Sequence, residues 1–197
     1  MNTTDTHPHE KTQPEKLSVN DQEFKIIKLL GKGKGGYSWL ATKDNQFFVL
    51  KQIHHEPCSY YQFGDKIRSE FNDYSRLKNA GIRIPEMLDI DFKKETILKQ
   101  YIDGPTIVEI IQNDQMKPEY YEQIQEFSTM AKEAGLNIDY YPTNFVVQND
   151  QLFYIDYECN PYMEEWNLEN WGIQYWSKTE AFDKDFEKKE GQMRIAE

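Results

Sequence analysis

NIDYYPTNFVVQNDQLFYIDYE (137–158) runs from a polar loop into two short apolar segments and ends on two acids. NFVV (144–147), the turn QND (148–150) and QLFYID (151–156) predict a β-hairpin. Asp139 and Asn144 fall in the loop before it, five residues apart. A carboxylate there can accept the proton of an attacking hydroxyl. An asparagine amide oxygen can bind a hard cation such as magnesium. Asp156 leaves the apolar run LFYI (152–155), where a carboxylate can act as a second ligand to the same metal. Plainer readings exist for each: an Asx turn beside Pro142 for the first two residues, and a strand-ending turn cap for the third.

Working toward the N-terminus, EFKIIKLL (23–30), YSWLAT (37–42) and QFFVLKQI (46–53) predict three strands. GKGKGG (31–36) separates the first two, and a KDN turn (43–45) separates the second and third. Gly31, Gly33 and Gly36 spell G-x-G-x-x-G between strands, where a backbone without Cβ atoms can approach phosphates closely. A dinucleotide loop would need a helix next, and a strand follows instead. The plainer reading is a flexible hairpin turn. Lys51 ends the run FFVL, and a lysine so placed calls for an anionic partner; a solvated edge lysine is its alternative. Residues 65–79 predict a helix with an apolar stripe at Ile67, Phe71, Tyr74 and Leu77, Asp65 as N-cap and Glu70 beside the stripe. Glu70 can reach the strand lysine or simply face solvent. IRIPEMLDIDF (82–92) and TILKQYI (96–102) predict two further strands.

The 197-residue chain carries a formal net charge of −11 and has 11 Phe, 13 Tyr and 4 Trp to build a core. That charge argues against nucleic acid as the main partner and against an anionic membrane surface. Cys58 and Cys159 have no metal-ligand spacing and suggest reduced thiols in a cytoplasmic protein. A zinc site from His54, His55, Glu56 and Cys58 is poorly spaced. No apolar run is long enough for a membrane span, and no signal peptide is visible. Residues 1–22 read as a flexible polar tail. Residues 104–114 and 117–135 predict helices, the second with Pro118 near its start. The stretch from Lys178 to 197 reads as a solvated, charged helix or tail. Trp166, Trp171, Tyr175 and Trp176 read as the core face of the helix before it.

Glycine loop, strand lysine, helix glutamate, D-x-x-x-x-N and a later aspartate, in that order, resemble the eukaryotic-like protein kinase superfamily over residues 23 to about 176. The resemblance implies an α+β, bilobal fold. Its N-lobe (23–102) would have a five-stranded antiparallel sheet and one helix, and its C-lobe (103–177) would be truncated and mostly helical. ATP would sit between the lobes under Gly31, Lys32, Gly33, Lys34 and Gly36, with Lys51 on its phosphates held by Glu70. KQYIDG (99–104) resembles the hinge, so backbone groups of Gln100 and Ile102 would hold adenine. Asp139 would be the catalytic base, and Asn144 and Asp156 the Mg2+ ligands. The departures are Asn137 and Ile138 before Asp139, Tyr141 in place of a lysine, and DYE (156–158) in place of D-F-G. IDYE (155–158) resembles choline/ethanolamine kinases, and PTN (142–144) fits aminoglycoside phosphotransferases. The short C-terminal half resembles small atypical kinases of the RIO and Bud type and lipopolysaccharide kinases.

The implied activity is transfer of the γ-phosphoryl group of ATP to a hydroxyl of a protein serine or threonine or of a small molecule, by a monomer or homodimer. A nucleotide-binding pseudokinase and a non-catalytic interaction module remain the alternatives.

Overall fold

The computed structural model describes residues 13–56 and 64–193, with side chains as far as Phe186 in the last helix. Residues 1–12 of the expected tail, and Cys58, lie outside the described residues. The fold is mixed α+β, with a six-stranded antiparallel sheet and, among the described residues, four α-helices. None of these helices is long and apolar enough to cross a membrane. The chain divides into two compact units, Met1–Gln62 with Leu88–Lys99, and Phe63–Met87 with Gln100–Glu197.

The first unit is built on the sheet. Its strands are β1 (Lys16–Val19), β2 (Gln22–Lys32), β3 (Gly36–Lys43), β4 (Gln46–Ile53), β5 (Met87–Asp91) and β6 (Thr96–Gln100), in the spatial order β1-β2-β3-β4-β6-β5. Asp44 and Asn45 turn β3 into β4 with φ of 52° and 61°. These two residue types tolerate the left-handed region that a two-residue hairpin loop needs. Alternate residues then bury on one face: Phe24 and Ile26 of β2, Tyr37, Trp39 and Ala41 of β3, and Leu50 of β4. Trp39 sits opposite Leu50 in the ladder.

The sheet has six strands and not the expected five, because Lys16–Val19, inside the stretch read as a tail, pairs with β2. Val19 is buried. The turn after it is anchored by Asp91, whose carboxylate accepts hydrogen bonds from the backbone N–H groups of Asn20 (2.9 Å), Lys93 (3.0 Å) and Lys94 (2.9 Å). Those bonds favour the ionised form and hold the Asp91 carboxyl below its ordinary pKa. The expected strand over 82–92 is confined to β5, because Pro85 has no N–H to give a ladder. Ile82 and Ile84 bury instead in the core of the second unit.

The second unit contains α1 (Lys66–Asn79), α2 (Ile107–Gln112), α3 (Pro118–Glu133) and α4 (Glu180–Met193). It also holds two short ladders, β7 (Leu136–Ile138) with β10 (Cys159–Pro161), and β8 (Phe145–Gln148) with β9 (Gln151–Tyr154). Asp65 caps α1 by accepting from Arg68 N at 3.1 Å. Of the expected α1 stripe, Ile67 and Leu77 are buried, Tyr74 is half-buried and Phe71 is exposed. Thr106 and Glu109 form a reciprocal capping box at the start of α2, which fixes the short helix directly after Gly104. Pro118 opens α3 at its first turn, where its missing N–H costs nothing. Asn149 and Asp150 turn β8 into β9 with φ of 52° and 59°.

A Cβ on Gly104 would fall on the carbonyl oxygen of Val147. Val147 is itself tied in place through its N–H to Pro105 O at 3.0 Å. Backbone on both sides leaves nothing flexible to yield. Gly104→Ala is expected to lower stability by about 3 kcal/mol, the upper end of overpacking costs. A urea denaturation midpoint unchanged by the substitution would contradict that.

The C-terminal stretch departs from expectation twice. EEWNLENWGIQYW is not one helix but two 3-10 turns, Glu164–Trp166 and Gly172–Tyr175. Between them the Asn167 carbonyl accepts from the N–H groups of both Trp171 and Gly172. Trp176 is fully buried, whereas Trp166 is 49% exposed, so the four aromatics do not share one core face. Then α4, read as solvated, buries Phe182 and Phe186 in the core with Phe145, Tyr154 and Trp176. One turn apart in a charged helix, the two rings lie 4.7 Å apart and suffice to dock it.

Candidate active site

In the second unit, β7 delivers the chain to Asp139, and a 3-10 turn, Pro142–Asn144, carries it into β8. The hairpin register places Phe145 opposite Tyr154. The ladder continues one step further, with Ile155 N donating to Asn144 O at 2.8 Å. Asn144 and Asp156 therefore flank the open end of one hairpin. The Asn144 amide nitrogen donates to the Asp139 carbonyl at 3.4 Å, which closes the loop. Asp139, Asn144 and Asp156, singled out in the sequence, are thus brought together by local hairpin geometry.

Further contacts hold Asp139 in place. Its Oδ1 accepts from Tyr141 N at 3.0 Å. Its own N–H donates to the phenol oxygen of Tyr154 at 3.3 Å, and that phenol donates to Glu158 O at 2.8 Å. Tyr154 is fully buried, so this phenol is a fixed strut between the start of the loop and the DYE segment. The β7–β10 ladder pairs Ile138 with Cys159 and so returns Glu158 toward Asp139. Tyr157 N donates to Asp156 Oδ1 at 2.8 Å. Its phenol donates to Pro85 O at 2.7 Å, which anchors the segment in the core.

Burial raises the pKa of Asp139 above its ordinary value. The Tyr141 N–H opposes that shift, while the charges of Asp156 and Glu158 add to it. Two further carboxylates thus bear on Asp139 beside an amide oxygen donor. Among the described residues no three His, Cys, Asp or Glu side chains form a group able to hold a metal ion by themselves. Asn144 and Asp156 offer hard oxygen donors, and the Asn144 nitrogen faces Asp139, which turns its Oδ1 the other way. One carboxylate and one amide oxygen suit magnesium, which binds few protein ligands and takes the rest from water and phosphate. The residues present therefore fit the implied cation.

Glu70 is half-buried on α1, and its charge helps to raise the Tyr157 pKa, after burial itself and Tyr74. Gln100 N donates to Glu86 O at 2.9 Å, so of the Gln100 backbone only the carbonyl can serve a base. Ile102 is buried beside it in sequence.

The first unit carries the glycine hairpin and Lys51. Gly33 N donates to Gly36 O at 3.0 Å, and His54 Nε2 lies 3.0 Å from Gly33 O. Lys32, expected on phosphates, pairs with Glu56 at 2.7 Å, and the Tyr37 phenol donates to the same carboxylate. Those two bonds pull the Glu56 pKa down to about 2. Lys34 is exposed in the loop. A Cβ on Gly36 would strike the Gln52 carbonyl oxygen, so packing of the neighbouring strand demands that glycine. Gly31 and Gly33 differ: a Cβ on either meets nothing within 4 Å, and neither has positive φ. The fold places no steric demand on these two glycines, which leaves open space where a Cβ would stand. Lys51 lies opposite Ser38 and is 8% exposed. Lys51 and Glu70, expected as a pair, belong to different units.

Tyr154 and Glu158 escaped the sequence reading. Tyr154 looked like one more apolar strand residue, and only the hairpin register gives its hydroxyl a task. Glu158 was visible in DYE, but its return toward Asp139 depends on the β7–β10 pairing. The chain matches no protein-family model and no curated protein at a significant level.

Proposed function

We propose that this chain is an ATP- and magnesium-dependent phosphotransferase with a bilobal kinase-like architecture, acting on a hydroxyl acceptor. The observation that carries the reading is the convergence of Asp139, Asn144 and Asp156 on the loop and open end of the β8–β9 hairpin. Magnesium would supply charge neutralisation along the β- and γ-phosphates.

The remaining work falls to the chain's own residues. Asn144 Oδ1 and the Asp156 carboxylate hold the cation. Asp139, fixed by the Tyr141 N–H, orients the acceptor hydroxyl and takes its proton. A raised pKa makes its carboxylate a better base than an ordinary aspartate. The empty space where a Cβ would stand at Gly31 and Gly33 suits close approach of phosphate. Lys51 binds the α- and β-phosphates, and the Gln100 carbonyl and the Ile102 backbone hold adenine. The acceptor is a protein serine or threonine, or a small alcohol. Positioning and charge stabilisation carry such a reaction, so few groups are needed.

The test is transfer from radiolabelled ATP to the chain itself, to generic proteins and to a panel of small alcohols. Asp156→Ala is expected to abolish transfer. Turnover that survived this substitution unchanged would remove the metal assignment. Stabilisation by magnesium–ATP without any turnover in the native chain would replace the proposal with a nucleotide-binding pseudokinase.

A further inference from the structure

The loop that carries Asp139 is gripped from the C-terminal side. Trp176 Nε1 donates to Tyr140 O at 2.8 Å in a buried position. A Cβ on Gly172 would strike the Tyr140 side chain, so Tyr140 packs directly on that backbone. The Tyr141 ring lies 5.2 Å from both Tyr175 and Phe186. The Tyr141 hydroxyl donates to Asp185 Oδ2 on α4 at 2.8 Å. Burial, followed by that carboxylate, raises the Tyr141 pKa, so the phenol stays a donor at all ordinary pH values.

Tyr141 therefore has two ends. Its backbone N–H fixes Asp139 Oδ1 at 3.0 Å, and its hydroxyl is held by a helix some forty residues later in the chain. A tyrosine ring is rigid beyond χ2, so pinning the hydroxyl limits where the backbone amide can lie. We propose that Asp185 is a positioning residue, acting through Tyr141 to hold the Asp139 carboxylate in its working orientation, and that α4 is in this way part of the active-site architecture. The inference rests on the phosphotransferase reading for its catalytic consequence, whereas the coupling from Asp185 to the Tyr141 amide does not. Asp185 touches no reacting atom. Its effect is expected on kcat, with the KM for ATP unchanged, because neither Asp185 nor Tyr141 is assigned to nucleotide binding.

Two measurements on the full chain test this. The first is hydrogen exchange at the Tyr141 amide by NMR. Asp185→Ala and Tyr141→Phe are expected to speed that exchange by about 10-fold, the equivalent of one hydrogen bond's net worth. Asp185→Asn keeps an acceptor oxygen and is expected to retain protection. The second is steady-state transfer to whichever acceptor the native chain uses, autophosphorylation included. Asp185→Ala and Tyr141→Phe are expected to lower kcat by about 10–100-fold, the usual range for groups that orient a working residue, with Asp185→Asn restoring most of it. Native exchange at Tyr141 in both Asp185→Ala and Tyr141→Phe overturns the coupling. Faster exchange with native kcat overturns the catalytic role while the phosphotransferase reading stands. If the native chain transfers nothing, that reading falls, and amide exchange alone upholds or overturns the link between Asp185 and the Tyr141 amide. Tyr141→Phe keeps the ring among Tyr175 and Phe186, so a folded variant is available even if Asp185→Ala is not.

Discussion

Asp139→Asn is expected to raise the unfolding midpoint at neutral pH while cutting phosphoryl transfer by about 100–10,000-fold, the range for loss of a general base. Both effects have one cause. Burial and the charges of Asp156 and Glu158 raise the Asp139 pKa above its unfolded value. The folded state therefore binds the proton more tightly than the unfolded chain does. By linkage, Asp139 costs nothing at a pH below the ordinary aspartate value of about 4, where both states are protonated. As pH rises through the raised native value, the native carboxylate ionises among like charges and stability is lost. Asparagine keeps an acceptor oxygen for the Tyr141 N–H but carries no charge. The stabilisation should therefore be absent at pH 3, appear above pH 4 and persist at pH 7. Magnesium with ATP should narrow the gap, because a cation held by Asp156 would offset the like charges that resist ionisation of Asp139. Thermal unfolding at the two pH values, without metal, is the measurement. A variant no more stable than the native chain at pH 7 would show that Asp139 is not held against electrostatic resistance.

The largest loss of stability is expected from Phe182→Ala, at about 3–5 kcal/mol. Phe182 is buried with Phe186, and α4 has few other apolar groups within its described side chains. Removing the ring leaves a cavity beneath a helix rich in Lys, Glu and Asp, with little else to hold it down. A loss of that size is a large share of the roughly 5–15 kcal/mol available to a domain. Phe182 is a cleaner probe than Phe186, which also touches the Tyr141 ring. Guanidinium denaturation gives the value. A loss below about 1 kcal/mol would mean that α4 is a solvated appendage after all.

Local chemistry made much of this protein legible from its residues. Asp-Asn and Asn-Asp pairs mark the two hairpin turns because few other residues accept positive φ. Asp65 and Pro118 mark helix starts through the backbone groups they satisfy or spare. The spacing of Asp139, Asn144 and Asp156 could be read because a short hairpin converts sequence distance directly into spatial distance. What stayed hidden depends on partners far away in the chain. β1 is four residues in a polar run, and its turn is held by Asp91, about seventy residues later. The β7–β10 ladder joins two three-residue strands across more than twenty residues. The aromatic run 166–176 had nearly helical spacing, yet Asn167 and Gly172 interrupt it and its rings face different surroundings. In α4 the charge of the sequence concealed the pair Phe182 and Phe186, one turn apart.

The strand order of the sheet has a consequence for synthesis on the ribosome. β6 lies next to β4 although α1 and β5 separate them in sequence. Until residues 96–100 have emerged, β4 has no neighbour on that side and presents Phe47, Phe48, Val49 and Leu50 along an open edge. Half of the chain must therefore be made before the first sheet can complete itself. During that interval the nascent protein exposes an apolar, β-prone segment, so a stalled or truncated product ending before Thr96 is more hazardous to the cell than one ending after Gln100.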